Sequence, residues 1–148
     1  MVRAYKNGFS LIELMVVMAI MTLIVAIVPP FIPGVMNSMN IKSAARELAS
    51  ELKLAKTQAI HSQRETVLSV DIDQHTFHRN GKRTHLNIPA EGDISLIIAD
   101  SERQSDNSGS IRFYPDGSST GGQVKLAYQQ QLYLVDVHWL TGKVRILP

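Results

Sequence analysis

The sequence predicts an α+β fold, with a long N-terminal helix packed on a C-terminal antiparallel β-domain. Three observations carry that expectation. From Phe9 to Val28 runs a stretch of 20 residues in which only Ser10, Glu13 and Thr22 are polar. Further on, Ile41, Ala45, Leu48, Leu52, Ala55 and Ala59 recur at spacings of 4, 3, 4, 3 and 4, the apolar stripe of a helix with one buried face. After Glu65 the texture changes to short runs alternating at period two, the mark of half-buried strands.

Taken in order, residues 1–8 form a short leader in which Arg3 and Lys6 face no acidic residue. The apolar run behind it, placed at residues 9–30, is long enough as a helix to span a hydrocarbon core of roughly 30 Å. The positive-inside tendency sets its basic end in the cytoplasm and the remainder across the membrane. A cleavable secretory signal should end in a small-x-small site, and Val28-Pro29-Pro30-Phe31-Ile32-Pro33-Gly34 offers no good one. A simple anchor explains the length of the run but not Glu13. A carboxylate within an apolar span costs about 2.5–3.5 kcal/mol on insertion scales and points to function by default.

Pro29, Pro30 and Pro33 interrupt the helical pattern, as a full break or as a kink. Residues 31–65 then resume as an amphipathic helix, with Arg46, Glu47, Lys53 and Lys56 off the apolar stripe. Such a stripe packs on the molecule's own sheet, and its alanine-rich side allows close approach.

Residues 66–148 make the β-domain. In Thr66–Asp73, Leu68, Val70 and Ile72 share one face and Ser69, Asp71 and Asp73 the other. Further strands are expected at Thr76–Arg79, His85–Ile88, Ile94–Ala99, Ser110–Tyr114, Gln123–Tyr128, Leu132–Leu140 and Lys143–Leu147. Asn80-Gly81 and Thr141-Gly142 read as turns. Ser101–Gly109 reads as an exposed, mobile polar loop, and Trp139 as a core residue or, if exposed, a contact residue.

Composition excludes several classes. Residues 1–65 carry seven Lys/Arg against four Asp/Glu, and residues 66–148 carry eight against nine, so the β-domain has no basic footprint for nucleic acid. The chain has no cysteine, which removes a thiolate nucleophile, a disulfide staple and any Cys-based zinc site. The glycine-rich run Asp116–Gly122 lacks the Lys-Ser/Thr of a P-loop and reads as a strand-connecting turn. His75 and His78, three apart in a strand-like region, point to opposite faces. Asp71 and Asp73 share a face and at most hold a cation weakly. No Ser/His/Asp grouping supports a triad, so the chain is expected to be a non-enzyme with no metal or cofactor.

The string Lys6-Asn7-Gly8-Phe9-Ser10-Leu11-Ile12-Glu13 closely resembles the class III signal of type IV pilins and type II secretion pseudopilins. The resemblance implies a pilin-like fold and a cleavable leader. A prepilin peptidase would cut after Gly8 and methylate the new terminus at Phe9. Glu13 matches the acidic residue at the fifth position of the mature chain, where it would serve assembly, and Pro30 falls at the usual kink position. Physically, Gly8 lets a protease approach the backbone closely. Glu13 lies one helical turn from the freed amine of Phe9, where a positive partner on a neighbouring subunit would set axial register.

A second resemblance refines the family. Ile111-Arg112-Phe113-Tyr114-Pro115-Asp116-Gly117-Ser118-Ser119-Thr120-Gly121-Gly122, followed by Leu140-Thr141-Gly142-Lys143-Val144, resembles the C-terminal half of the H-class minor pseudopilins. The implied role is that of a tip-associated subunit linking a tip complex to the pseudopilus shaft. Implied partners are other minor pseudopilins, the major pseudopilin, prepilin peptidase, an inner-membrane assembly platform and secreted exoproteins. The implied location is the bacterial inner membrane, single-pass, with a periplasmic C-terminal domain. A minor pilin of a type IV pilus, for priming, adhesion or DNA uptake, is the alternative; an anchored periplasmic enzyme is a third reading.

Overall fold

In the computed structural model, residues 9–27 and 32–147 are described. The chain divides into two compact units, Met1–Met36 and Asn37–Pro148.

The first unit is built around helix α1, Leu11–Ile27. Its sequence is apolar all round apart from Glu13 and Thr22, and the Thr22 hydroxyl donates back to the Ala19 carbonyl at 2.8 Å. This return bond satisfies the hydroxyl within the helix, so it needs no outside partner. Helix α2, Ile32–Ser62, begins before the unit boundary and supplies the spine of the second unit. Pro33 lies in the first turn of α2, where a missing N–H has no intrahelical acceptor to disappoint. It therefore opens that helix rather than breaking it. Pro29 and Pro30, and with them the expected kink at Pro30, lie outside the described residues.

In the second unit the helical stripe is buried as its spacing requires. Ile41, Ala45, Leu48, Leu52, Ala55 and Ala59 are fully buried, and Ala44 and Ala49 widen the stripe. They join one contiguous core with Leu68, Phe77, Ile111 and Phe113 from one sheet and Ile94, Val124, Leu126 and Val135 from a second. Small side chains on α2 let the helix axis approach the strands, while Leu48 and Leu52 fill the space between. Each buried leucine contributes about 1.5–3 kcal/mol by leaving water.

The first sheet has the order β3-β2-β1-β6-β5 and the second β4-β7-β8-β9, every pairing antiparallel. The strands are β1 Thr66–Asp71, β2 Thr76–Arg79, β3 Lys82–His85, β4 Asp93–Ile97, β5 Arg103–Ser105, β6 Ser108–Phe113, β7 Gly122–Tyr128, β8 Gln131–Val137 and β9 Val144–Leu147. The chain crosses between sheets at residues 86–92, back at 98–102, and again at 114–121.

Polar ties fasten α2 to this scaffold. Arg79 on β2 donates to Glu51 Oε2 and to Gln58 Oε1, each at 2.8 Å. Lys56 Nζ donates to the Thr141 carbonyl at 2.7 Å, and Asn37 Nδ2 donates to the Tyr128 hydroxyl at 3.1 Å.

Several expectations need correction. The strand expected at His85–Ile88 instead occupies Lys82–His85, because the two-residue Asn80-Gly81 turn pairs Arg79 directly with Lys82. Both turn residues have positive φ, 51° and 79°, the geometry that matches strand twist in tight hairpins. Ser101–Gly109 is not an open loop: it holds a 3-10 turn at Asp100–Glu102, all of β5 and the start of β6. Its polar composition reflects an exposed sheet edge rather than missing structure. The strand expected at Leu132–Leu140 ends at Val137, and Trp139 is 63% exposed rather than core. There the His138 N–H donates to Lys143 O and the Gly142 N–H to His138 O, closing a turn that carries Trp139 and Leu140 at its tip.

Candidate assembly site

Helix α1 starts where the Leu14 N–H donates to the Ser10 carbonyl at 3.1 Å. Glu13 is the single charged residue of α1 and sits in its first turn. The unpaired N–H groups and the positive end of the helix dipole there favour a carboxylate. Around it the large apolar side chains of α1, from Leu11 to Val25, are exposed, as is Phe9. Among the described residues Glu13 has no ion-pair partner. A carboxylate placed within an apolar run is costly to bury unpaired, which makes Glu13 the candidate functional residue of this helix. Gly8, Arg3, Lys6 and Pro30 lie outside the described residues. Among those residues no helix is long and apolar enough to cross a membrane. At 17 residues, α1 is roughly 25 Å long.

The second unit carries a groove that the sequence did not disclose. It has a volume of about 380 Å³ and lies at one end of the second sheet, where β4, β7 and β8 meet the crossings. Ile97, Ile98 and Ala99 form one wall, Val137, His138 and Trp139 the other, and Thr120–Gln123 the floor. The floor is tied down closely. The Ser119 hydroxyl donates to Arg112 O at 2.7 Å, the Thr120 N–H donates to the same carbonyl, and the Ser119 N–H donates to Trp139 O at 2.8 Å. Paired glycines at Gly121 and Gly122 were the available signal. A Cβ at Gly121 would stand 3.0 Å from Trp139 Cβ, a contact too tight for a side chain at that position without a shift of Trp139.

The Asp116–Gly122 run is thus the start of the crossover and the groove floor. Asp116 Oδ1 accepts from the Ser118 hydroxyl at 2.6 Å and the Ser118 N–H at 2.9 Å, which holds its carboxyl below the ordinary carboxylate range. Beside it, Arg112 donates from Nε to Glu102 at 3.1 Å and from a terminal nitrogen to Glu65 at 2.8 Å. The two carboxylates, Glu102 first, raise the guanidinium pKa above its ordinary value.

Of the residues weighed for metal binding, His78, Asp71 and Asp73 have other partners. His75 sits in a turn at φ 49°, and His78 Nε2 accepts from Arg83 Nε at 3.0 Å. Asp71 accepts the Gln74 N–H and Asp73 accepts from Asn107 Nδ2. Among the described residues no three His, Asp or Glu side chains converge as a metal site would require.

An exposed apolar helix with one acid in its first turn, ahead of a helix clasped by antiparallel sheets, defines the pilin-like class. Residues 3–29 match the prokaryotic N-terminal methylation motif, and residues 44–141 match the type II transport protein GspH family. The chain belongs to that family, the H-class minor pseudopilins. It is 31% identical over 147 residues to the type II secretion system protein H of Xanthomonas campestris pv. campestris, covering 99% of this chain and 86% of that one. The fold is similar to the minor pseudopilin EpsH of the Vibrio cholerae type 2 secretion system, with TM-score 0.58, 14% identity and 73% and 96% of the two chains covered. It is also similar to the Pseudomonas aeruginosa type IV minor pilin FimU, with TM-score 0.57, 13% identity and coverage of 73% and 88%.

Proposed function

We propose that this minor pseudopilin is a tip-associated subunit of a type II secretion pseudopilus, joining a tip complex of other minor pseudopilins to the shaft of the major one. The observation that supports it is Glu13, alone as a charge on an exposed apolar α1. In this reading prepilin peptidase removes residues 1–8 after Gly8 and methylates Phe9. The apolar run then holds the chain in the inner membrane, with residues 66–148 in the periplasm. The assembly platform passes it into the filament, where Glu13 pairs with a positive group on a neighbouring subunit and sets axial register. The fold likeness is equal towards a pseudopilin and a type IV minor pilin, whereas the family match and the Xanthomonas relative favour secretion.

The test is Glu13→Ala in the full-length chain. The variant should fractionate with membranes as the parent does yet be absent from cross-linked filaments. Normal incorporation would overturn the assignment of Glu13. Intact mass measured with and without prepilin peptidase checks the processing step independently: loss of residues 1–8 plus one methyl group is expected only with the peptidase present.

A further inference from the structure

The segment 98–102 carries the chain from the second sheet back to the first, and it does so without backbone support. Among the described residues its backbone-to-backbone hydrogen bonds are internal, the Glu102 N–H donating to Ala99 O at 2.9 Å and the Arg103 N–H to Asp100 O, while the Glu102 carbonyl accepts from Ser110 Oγ at 3.4 Å. The strand that follows, β5, has three exposed residues and pairs with β6 only at Arg103↔Gly109 and Ser105↔Ser108, with a register shift between. Side chains must therefore hold this crossing in place, and two do so from opposite ends.

At one end Ile98 fills a notch made by two glycines, one from each sheet. A Cβ at Gly109 of β6 would collide with Ile98 Cδ1, and a Cβ at Gly122 of β7 would stand 2.9 Å from Ile98 Cγ2. At the other end Glu102 is buried, 7% exposed, in a fitted socket. Ser110 Oγ donates to Glu102 Oε2 at 2.6 Å and Arg112 Nε donates to Oε1 at 3.1 Å. Arg112 is itself fixed from behind by Glu65, next to the end of α2.

We propose that residues 98–106 are a latched strap, held by Glu102 in the Ser110–Arg112 socket and by Ile98 in the glycine notch, and that the strap is the movable wall of the groove opposite Trp139. The opposite wall belongs to β8 and its closing turn, and the floor is pinned by main-chain bonds. When the strap lifts, the groove widens along its Ile98–Ala99 side, while Ile97 stays paired with Gln123 in the second sheet, and the edge of β6 is freed. Groove shape is then governed by a charge contact at Glu102, some way from the groove residues themselves.

The experiment is amide hydrogen exchange on the full chain in detergent, comparing the parent with Glu102→Ala, Ser110→Ala and Gly109→Ala. Glu102→Ala empties the socket, Ser110→Ala removes one of its two donors, and Gly109→Ala crowds Ile98 out of its notch. Peptides spanning 98–107 should exchange roughly tenfold faster or more in each variant, as expected for loss of a buried charge-assisted bond. Peptides from β1, β2, β7 and β8 should stay within about twofold of the parent, as a local opening demands. Because the chain has no cysteine, a spin label at Ala99→Cys provides a second readout and should become more mobile when Glu102→Ala is added. Unchanged exchange at 98–107, or an equal rise across both sheets, would overturn the proposal, since either outcome means the segment opens only with the whole domain.

Discussion

Arg79 and Glu51 meet at 2.8 Å across the interface between β2 and α2, with both side chains about one-fifth exposed. Arg79 reaches Gln58 with a second nitrogen, so a single guanidinium grips the helix at positions seven residues apart, two turns on one face. Partial burial strengthens such a contact relative to a surface pair, while the remaining solvent limits it. Arg79→Ala is expected to destabilise the fold by about 1–3 kcal/mol and Glu51→Gln by less. Urea unfolding of the full chain in detergent checks both, and a Glu51→Gln loss equal to that of Arg79→Ala would show that Gln58 contributes nothing.

Leu52 of α2 is buried to zero exposure in the core that the helix shares with both sheets. Leu52→Ala should cost about 2–5 kcal/mol, the range for truncating a fully buried leucine in a close-packed core. By contrast Leu54, on the opposite face and about half exposed, should tolerate alanine with little change. The same denaturant series distinguishes the two.

Gly81 has open space around its Cα but a φ of 79°. A side chain there meets no neighbour, so the cost of Gly81→Val is backbone strain alone, roughly 1–2 kcal/mol. Gly81→Asn should be milder, since asparagine accepts the left-handed region more readily. A thermal-shift comparison of the two variants tests whether the turn, rather than packing, sets the loss.

Asp116 has its carboxyl held below the ordinary range by the Ser118 hydroxyl and N–H. A depressed folded-state pKa means that the unfolded chain takes up its proton first as the medium is acidified. The stabilisation is therefore present above the unfolded value of about 3.9 and is lost as pH falls through the folded one. Ser118→Ala should move the NMR titration midpoint of Asp116 upwards. An unmoved midpoint would mean that the serine hydroxyl is not what holds the carboxylate.

Much of this architecture was legible before any coordinates. The stripe from Ile41 to Ala59 is buried at every one of its six positions because helical spacing alone decides which residues share a face. Leu68 and Val70 followed in the same way from period two, and Asn80-Gly81 from the positive φ that a two-residue hairpin demands. The family signature between Lys6 and Glu13 is equally local, since it is a run of contiguous residues that needs no tertiary contact to be read.

What the sequence by itself determined, then, is whatever depends on neighbours along the chain: helix faces, strand alternation, tight turns and the placement of one acid in an apolar run. Tertiary structure decided the rest. Ser101–Gly109 looked like a loop because an edge strand with three exposed residues has no apolar face to betray it. Trp139 looked like core because nothing local announces that β8 ends two residues earlier. The groove, the glycine notch around Ile98 and the socket around Glu102 join residues from β4, β6, β7 and β8 and the crossings between them. Periodicity fixes the direction of a side chain from its own strand, but which strands meet there depends on the packing of two sheets on one helix.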